Sequence, residues 1–453
     1  MKRVLCLSLA LALFLSLPSC RSEREAEIES EILAVRAENE ARAESLWEEE
    51  PPVSEGIPDG GAATGTDSET AEKAAPKTDW DGIVTTEYQA VGSKFYFHTK
   101  EKRLVNGNME SVYMISYYDL TTGEHGVVCP DPLCQHNDPS VCKYIDVGGS
   151  TDFTMADEHT LIFGYKANVN AKRKICAFDL TENTYNALFT PKQISSDQMG
   201  IENGILWLRD VYAKTSGKKT TYYETIVGVR IETGEIAYQE ASPEGCQAFF
   251  CRGGLLFCDN VKSIAAVDLK TGDLKKLIDY DADDKVGAWY YDTYREELWF
   301  SVINQTKQTG RVYRYANDVC EEVGFPAKEI YYFQLTNSKI YYSPYEPTYL
   351  GPNQFLDTGT WDYTNGKIYV VDRDDPSGEA RLLYDADGKY LVCLAWVHTY
   401  AVFGNQLFLE HADIRRSTDP ETGIEYVMFS HADEMYKIRV DLTTGEEEEI
   451  RFE

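Results

Sequence analysis

Two short sequence units alternate seven times along the chain, and this repetition constrains the fold more than any other feature. The first unit is a turn followed by large residues, as in GSKFYF (92–97) and ENGILWL (202–208). The second is a strand-like run that ends in Asp-x-x-Thr-Gly or a related turn, as in ISYYDLTTGE (115–124) and IAAVDLKTGD (264–273). Repetition on this scale indicates a repeat architecture in which each copy is one supersecondary unit.

Equivalent positions in most of the copies lie about 45 residues apart, which leaves room for four short strands and their turns. The Gly of each turn adopts positive φ at low cost, as a tight hairpin requires. Four-stranded units repeated radially form a β-propeller. We therefore predict an all-β fold over residues 80–453, a propeller of seven four-stranded blades; six or eight blades and a tandem of β-sandwiches are the alternatives. The equivalent positions are Phe95, Leu161, Ile205, Leu255, Leu298, Ile340 and Leu407.

The N-terminus has the composition of an export signal. Lys2 and Arg3 precede an apolar run over residues 4–17, which is shorter than the roughly 20 residues that span a bilayer. The run ends in Leu-Pro-Ser-Cys, which resembles the lipobox of bacterial lipoproteins. By that resemblance, residues 1–19 are a signal peptide and Cys20 carries a lipid on the extracellular face of the cell membrane. A plain signal peptide cut elsewhere and a short membrane helix are the alternatives.

The segment between the signal and the propeller divides into two parts. Residues 20–50 begin with Cys20 and continue as a Glu-rich stretch in which Ile28, Ile32 and Val35 have heptad-like spacing. This pattern predicts a short charged helix, with a coiled coil as the alternative. Residues 51–79 are rich in Pro, Gly, Ala and Thr and have few side chains to bury, so we predict a disordered spacer.

The charge of the chain limits its partners. The net charge is −31, with 75 acidic and 44 basic residues. Binding to nucleic acid or to an anionic membrane surface requires clusters of Lys and Arg, so this balance argues against both. It is typical of a soluble, exported surface protein.

The stretch CPDPLCQHNDPSVC contains three cysteines and one histidine in the order Cys-x4-Cys-x-His-x5-Cys. Three thiolates and an imidazole are a tetrahedral zinc set, and four protein ligands leave no open position for catalysis. We therefore predict a structural zinc. A disulfide between two of the thiols and a set of free thiols are the alternatives. The predicted ligands are Cys129, Cys134, His136 and Cys142.

The whole chain, with this loop early in the repeats, resembles the uncharacterised β-propeller-like lipoproteins of anaerobic Gram-positive bacteria. Members of that family carry a similar loop with Cys, Asp-Pro, Cys, His and a final Cys, here beginning at Cys129 and Asp131. The resemblance implies a lipid-anchored location and a propeller shape. It implies no reaction.

Two further sets of residues are candidate sites. In the seventh repeat, two His-Ala-Asp tripeptides lie opposite each other if the chain turns between them, and they would offer a divalent cation the ligands His411, Asp413, His431 and Asp433. Two polar strand edges with coincidental composition are the alternative. The sixth repeat contains a Tyr-rich insertion whose rings would contact a ligand, namely Tyr345, Tyr349 and Trp361.

These features lead to two functional hypotheses. The first is a binding or scaffolding module for an extracellular protein or glycan. The second is an extracellular polysaccharide hydrolase or lyase, with acids contributed by loops between blades. The enzyme would place two carboxylates opposite each other, one with a raised pKa, whereas the binding module would present aromatic rings without such a pair. The sequence contains no motif that assigns a catalytic residue.

Overall fold

A computed structural model describes residues 76–452 of the protein with internal gaps. Residues 1–75 lie outside the described part, so the signal peptide, the lipidated Cys20, the charged helix and nearly all of the spacer remain predictions. The gaps are 86–87, 106–107, 130, 132, 138–140, 148–152, 166–171, 192–194, 217–218, 244–245, 261–262, 280, 282, 305–306, 308, 345–347, 354–355, 363–365, 388, 391–399, 411–412, 419, 421–422, 424 and 431–435.

The described residues form strands and turns, without a helix. No helix in this part is long and apolar enough to cross a membrane. The strands are β1 Ile83–Val84, β2 Gln89–Val91, β3 Lys94–Val105, β4 Asn108–Asp119, β5 His125–Val127, β6 Ile145–Val147, β7 Thr154–Met155, β8 Thr160–Tyr165, β9 Lys174–Asp179, β10 Thr184–Phe189, β11 Ser195–Glu202, β12 Ile205–Ser216, β13 Lys219–Arg230, β14 Ile236–Ala241, β15 Cys246–Arg252, β16 Leu255–Asn260, β17 Ser263–Asp268, β18 Leu274–Asp279, β19 Asp284–Asp292, β20 Glu297–Asn304, β21 Thr309–Ala316, β22 Val319–Val323, β23 Ile330–Leu335, β24 Lys339–Pro344, β25 Thr348–Asn353, β26 Leu356–Asp362, β27 Lys367–Asp372, β28 Arg381–Asp385, β29 Tyr400–Phe403, β30 Gln406–Glu410, β31 Asp413–Thr418, β32 Glu425–Ser430, β33 Tyr436–Asp441 and β34 Glu447–Arg451.

Seven antiparallel four-stranded sheets follow one another along the chain as the blades of a propeller, which confirms the predicted fold and blade count. Blades 1 to 5 are β2–β5, β7–β10, β11–β14, β15–β18 and β19–β22. Blade 6 is β23, β24, β27 and β28, and blade 7 is β29, β30, β33 and β34. The seven equivalent positions of the sequence repeat all lie on second strands.

Blades 6 and 7 each contain an insertion between their second and third strands. Strands β25 and β26 pair with each other as one two-stranded sheet, and β31 and β32 pair as another. Residues 349–362 and 416–427 of these hairpins belong to a compact unit separate from the propeller.

The Asp-x-x-Thr-Gly turns join third strands to fourth strands. The spacing between Asp and Gly recurs along the chain for a local structural reason. The Asp441 carboxylate accepts hydrogen bonds from the backbone N–H groups of Thr443 at 2.8 Å and Thr444 at 3.1 Å. The N–H of Gly445, whose φ is 75°, donates to the Asp441 carbonyl at 2.7 Å. Asp caps the turn from its side chain and Gly supplies the left-handed residue, so the motif marks these turns in the sequence.

Aromatic packing joins the first blade to the last. All strands of blade 1 come from the start of the propeller and all strands of blade 7 from its end. The Phe95 ring lies 4.7 Å from Phe403 and 5.1 Å from Phe408, measured between centroids. The Phe97 and Phe452 rings are 4.5 Å apart. Blades 1 and 7 do not exchange a strand, so side-chain packing between them contributes to closing the ring.

Residues 77–85, here called the N-terminal strap, run across blades 5, 6 and 7 before blade 1 begins. The Asp79 carboxylate accepts hydrogen bonds from the Thr336 hydroxyl at 2.7 Å and the Ser338 N–H at 2.9 Å, both in the first turn of blade 6. Strand β1 pairs antiparallel with β19 of blade 5. The Trp80 ring meets Phe403 of blade 7 edge-on at 5.3 Å. The strap thus attaches the start of the propeller to its last three blades.

Candidate metal centre

The cysteine loop interrupts the outermost strand of blade 1. Strands β5 and β6 both pair antiparallel with β4, one after the other: Val127 lies opposite Ser116, and Ile145 lies opposite Met114. The chain therefore leaves the edge of the sheet after β5 and returns to the same edge at β6. The sequence placed this loop early in the repeats, and the structure shows that it divides the fourth strand of blade 1.

The loop brings the four predicted ligands together. The ligand atoms of Cys129, Cys134, His136 and Cys142 all lie within 4.8 Å of one another. His136 Nδ1 is 3.4 Å from Cys142 Sγ. With zinc–sulfur and zinc–nitrogen bonds of usual length, an N–S edge of a tetrahedral site measures about 3.6 Å. The four side chains are thus close enough together to hold one metal ion.

Local backbone structure sets these positions. The Asp131 carboxylate accepts a hydrogen bond from the Leu133 N–H at 2.9 Å, and the Asp131 carbonyl accepts one from the Cys134 N–H at 3.1 Å. His136 has a φ of 51°, in the left-handed region, and its N–H points to Cys134 Sγ at 3.4 Å. This turn and the left-handed residue direct Cys134 and His136 to the same point.

Three contacts that the sequence did not reveal hold the loop to the blades. The Arg103 guanidinium donates a hydrogen bond to the Gln135 carbonyl. The Tyr144 hydroxyl donates to Asn183 Oδ1 of blade 2 at 2.9 Å. The carboxylate of Asp146, fully buried on β6, pairs with Arg173 at 2.8 Å. These partners lie far from the loop in the sequence, and no local pattern marks them.

Hydrogen bonding within the cluster favours an uneven distribution of protons. A hydrogen bond from the Cys142 thiol lowers the pKa of Cys129 to about 4, and the same bond raises the pKa of Cys142. Burial raises the pKa of Cys134. Without a cation the cluster therefore holds one thiolate stabilised by neighbouring donors. A dication would replace the remaining thiol protons, because metal ligation requires deprotonated sulfur.

The described cysteines give no support to the disulfide alternative. All eight are free thiols, including the three of the loop. Cys246 and Cys258, on the adjacent strands β15 and β16 of blade 4, are likewise buried free thiols.

A cavity of about 180 Å³ lies against one side of the cluster. Cys129 lines it together with Lys94, Tyr96 and Tyr117 of blade 1 and Leu180 of blade 2. Burial raises the pKa of both phenols to about 12, so they are neutral at physiological pH. Of the four cluster residues, Cys129 is the one that borders this cavity.

The other candidate sites lie largely outside the described residues. His411, His431, Asp433 and Tyr345 are not described. Asp413 begins β31, Tyr349 is on β25 and Trp361 on β26, but their side chains are not described. The second metal site and the aromatic contacts stay predictions.

One carboxyl group in the described part has a raised pKa. Burial raises the pKa of Asp259, at the end of β16, and the nearby Asp284 charge adds to the effect. Asp284 itself is buried and accepts a hydrogen bond from Asn304 at 2.5 Å. The pair is the nearest approach to the carboxylate arrangement that a polysaccharide-cleaving enzyme would use.

We expect Asp259→Asn to stabilise the protein at pH 7. The folded state raises the pKa of Asp259, so the charged form weakens folding once the pH exceeds the unfolded value of about 3.9. Asn removes that charge and still accepts the hydrogen bond from the Val286 backbone. Urea unfolding should show a higher midpoint for the variant at pH 7 and no difference near pH 3. A variant less stable than the parent at pH 7 would contradict the assignment.

The chain is similar to a number of solved structures. No protein-family model and no curated protein matches it. Among solved structures it is similar to an acylaminoacyl peptidase of Pyrococcus horikoshii, with 12% identity and a TM-score of 0.48, covering 81% of this chain and 52% of that one. The chain thus spans about half the length of that peptidase.

Two similar solved structures are matched over nearly their whole length. One is the β-propeller domain of the Trilobed protease from Pyrococcus furiosus, with 11% identity and a TM-score of 0.45, covering 83% of this chain and 96% of that one. The other is an oligogalacturonate lyase in complex with manganese, with 9% identity and a TM-score of 0.40, covering 78% and 98%. The assignment of this chain as a seven-bladed β-propeller rests on its own strand topology.

Proposed function

We propose that the protein is a lipid-anchored β-propeller on the extracellular face of the cell membrane that binds an extracellular protein or glycan. One observation carries the binding role: the chain is extended at the connection between second and third strands in four of the seven blades. Blades 1 and 3 have hairpins with strands of 12 residues, β3–β4 and β12–β13. Blades 6 and 7 contain the inserted hairpins. Extensions of this kind on a rigid scaffold are where binding surfaces are built.

A structural zinc at the cysteine loop is part of the proposal. The proximity of the four ligand atoms, all within 4.8 Å of one another, supports it. The ion would hold closed a loop that leaves and re-enters one sheet edge. It would not take part in a reaction, because four protein ligands fill its coordination sphere.

A polysaccharide-cleaving enzyme is the second candidate, and the Asp259–Asp284 pair is the observation that favours it. Burial raises the pKa of Asp259 in the direction a general acid needs. Asp284, however, is engaged by Asn304 at 2.5 Å and by Arg311 at 3.5 Å, which suits a structural carboxylate.

The test begins with the full chain and its Cys20→Ala variant expressed in a bacterium that lipidates exported proteins. The parent should fractionate with membranes and the variant with soluble exported protein. A parent that is soluble would overturn the anchor.

The full chain in detergent is then screened against arrays of extracellular polysaccharides and peptides. Binding that leaves the polymer intact supports the binding role. Shortened polymer, produced by the parent and not by Asp259→Asn, would establish the enzyme instead.

A further inference from the structure

In blades 1, 2 and 3 of this acidic chain, basic and acidic residues are concentrated at opposite ends of each blade. The connections from second to third strands in blades 1, 2 and 3 are basic, with the stretches KEKR (100–103), AKRK (171–174) and AKTSGKK (213–219). Residues 166–174 and 213–222 contain no Asp or Glu. We call the described lysines of these connections the basic arc: Lys100, Lys102, Lys172, Lys174 and Lys214.

The opposite ends of the blades are acidic. The turns from third to fourth strands contain mostly Asp and Glu beside their Thr and Gly. In blade 7 this turn reads DLTTGEEEE (441–449), and in blade 5 it reads NDVCEE (317–322). Because second-to-third connections and third-to-fourth turns lie at opposite ends of each blade, the basic arc and most of the acidic turns face away from each other.

Four of the five lysines of the basic arc are available to a partner. Lys102, Lys172, Lys174 and Lys214 are exposed. Within the described part of the chain no carboxylate pairs with these four. The neighbouring arginines are engaged: Arg103 binds Glu101 at 2.8 Å, and Arg173 pairs with Asp146. The arginines therefore organise the connections, and the lysines carry the outward charge.

Aromatic rings accompany the charges. On the β12–β13 hairpin the Tyr212 and Tyr223 rings stack with centroids 5.3 Å apart and planes at 15°. Lys214 Nζ lies 5.0 Å from the Tyr223 ring centre, and Tyr222 on the same hairpin is 69% exposed. In blade 1, Lys100 Nζ lies 5.4 Å from the Tyr113 ring centre. The surface thus offers cations and ring faces side by side.

We propose that the basic arc binds an acidic glycan, a polysaccharide bearing carboxylate or sulfate groups. Lysines distributed over three blades match a repeating anionic polymer, and exposed tyrosine rings match the faces of sugar rings. A planar anionic membrane or a stiff nucleic-acid duplex would experience the electrostatic field of the whole chain. The net charge of −31 would repel either of them. A flexible strand can follow the arc alone. This inference rests on the proposed binding role and names its ligand class and its surface.

The experiment uses three polymers with one backbone: dextran, carboxymethyl-dextran and dextran sulfate. The full chain in detergent is titrated with each at low and physiological salt. A charge-reversal variant, Lys102→Glu with Lys174→Glu and Lys214→Glu, is compared with a control of equal charge change. The control reverses Lys270, Lys275 and Lys389, which are exposed and lie outside the basic arc.

We expect the parent to bind at least one charged dextran and not dextran, with affinity falling as salt rises. The arc variant should lose at least tenfold in affinity, and the control should stay within twofold of the parent. The relative response to the two charged polymers distinguishes carboxylate from sulfate recognition.

Equal losses in the arc variant and the control would overturn the proposal, as would equal binding to uncharged dextran. Binding to anionic vesicles or duplex DNA in place of the charged dextrans would overturn it too. If the chain binds a neutral glycan or a peptide on the arrays but no charged dextran, the proposed binding role stands and the proposal for the basic arc fails. A chain that binds nothing in either assay loses both.

Discussion

Replacing Cys142 with Ser should reduce the zinc content of the purified protein from one ion per chain to none. Cys142 is the buried ligand closest to the point where the loop rejoins the sheet, and its Sγ is 3.4 Å from His136 Nδ1. Structural zinc contributes roughly 10–16 kcal/mol of apparent binding free energy in small domains, so its loss should release the loop. Elemental analysis gives the metal content, and limited proteolysis should then cut between residues 129 and 142.

Cys320→Ser is the matched control, because Cys320 is a half-buried free thiol in blade 5 outside the cluster. It should leave one zinc bound and the loop resistant to protease. A parent protein that is free of metal after expression with zinc, and that has fewer free thiols before reduction than after it, would show that the loop is held by a disulfide. The propeller fold would be unaffected by that outcome.

Phe403→Ala should cost about 3–5 kcal/mol of unfolding free energy, the usual range for deleting a buried aromatic ring. The Phe403 ring contacts Phe95 of blade 1 at 4.7 Å and Trp80 of the N-terminal strap at 5.3 Å. It also contacts Tyr88 at 5.2 Å. One deletion therefore weakens both ring closure and strap docking. Denaturant unfolding followed by tryptophan fluorescence and circular dichroism measures the change.

Phe249→Ala provides the comparison, since Phe249 is partly buried within the blade 4–5 packing and lies 6.0 Å from Phe300. We expect a clearly smaller loss there. If the two variants lose the same stability, the blade 1–blade 7 junction has no special role in holding the ring.

The part of the fold that follows from local pattern could be predicted from the sequence. Alternating large residues mark second strands such as the one at Leu298, and Asp with Gly marks turns such as the one at Asp441 and Gly445. Each signal depends on a few consecutive residues, because hairpins are local structures. Seven such signals in order were sufficient to give the architecture.

Features that depend on distant partners could not be predicted. The division of one strand into β5 and β6 follows from pairing with β4. The sequence of residues 129–142 does not indicate where the chain pairs with β4 again. The residues that make up the cluster could be named from the sequence, because their types and order within the loop mark them. The Arg173–Asp146 pair and the strap contacts of Asp79 involve partners that sequence spacing does not connect.

The N-terminal strap also sets an order of events during synthesis. Residues 77–85 are synthesised before the seven blades, yet their partners lie in blades 5, 6 and 7, which are the last blades to be made. Until those blades have been synthesised, Trp80 and the strap backbone have no surface to dock on. The strap therefore stays undocked while they are translated. Ring closure accordingly follows the synthesis of blade 7, and a chain truncated before blade 6 would lack the strap contacts to blades 6 and 7.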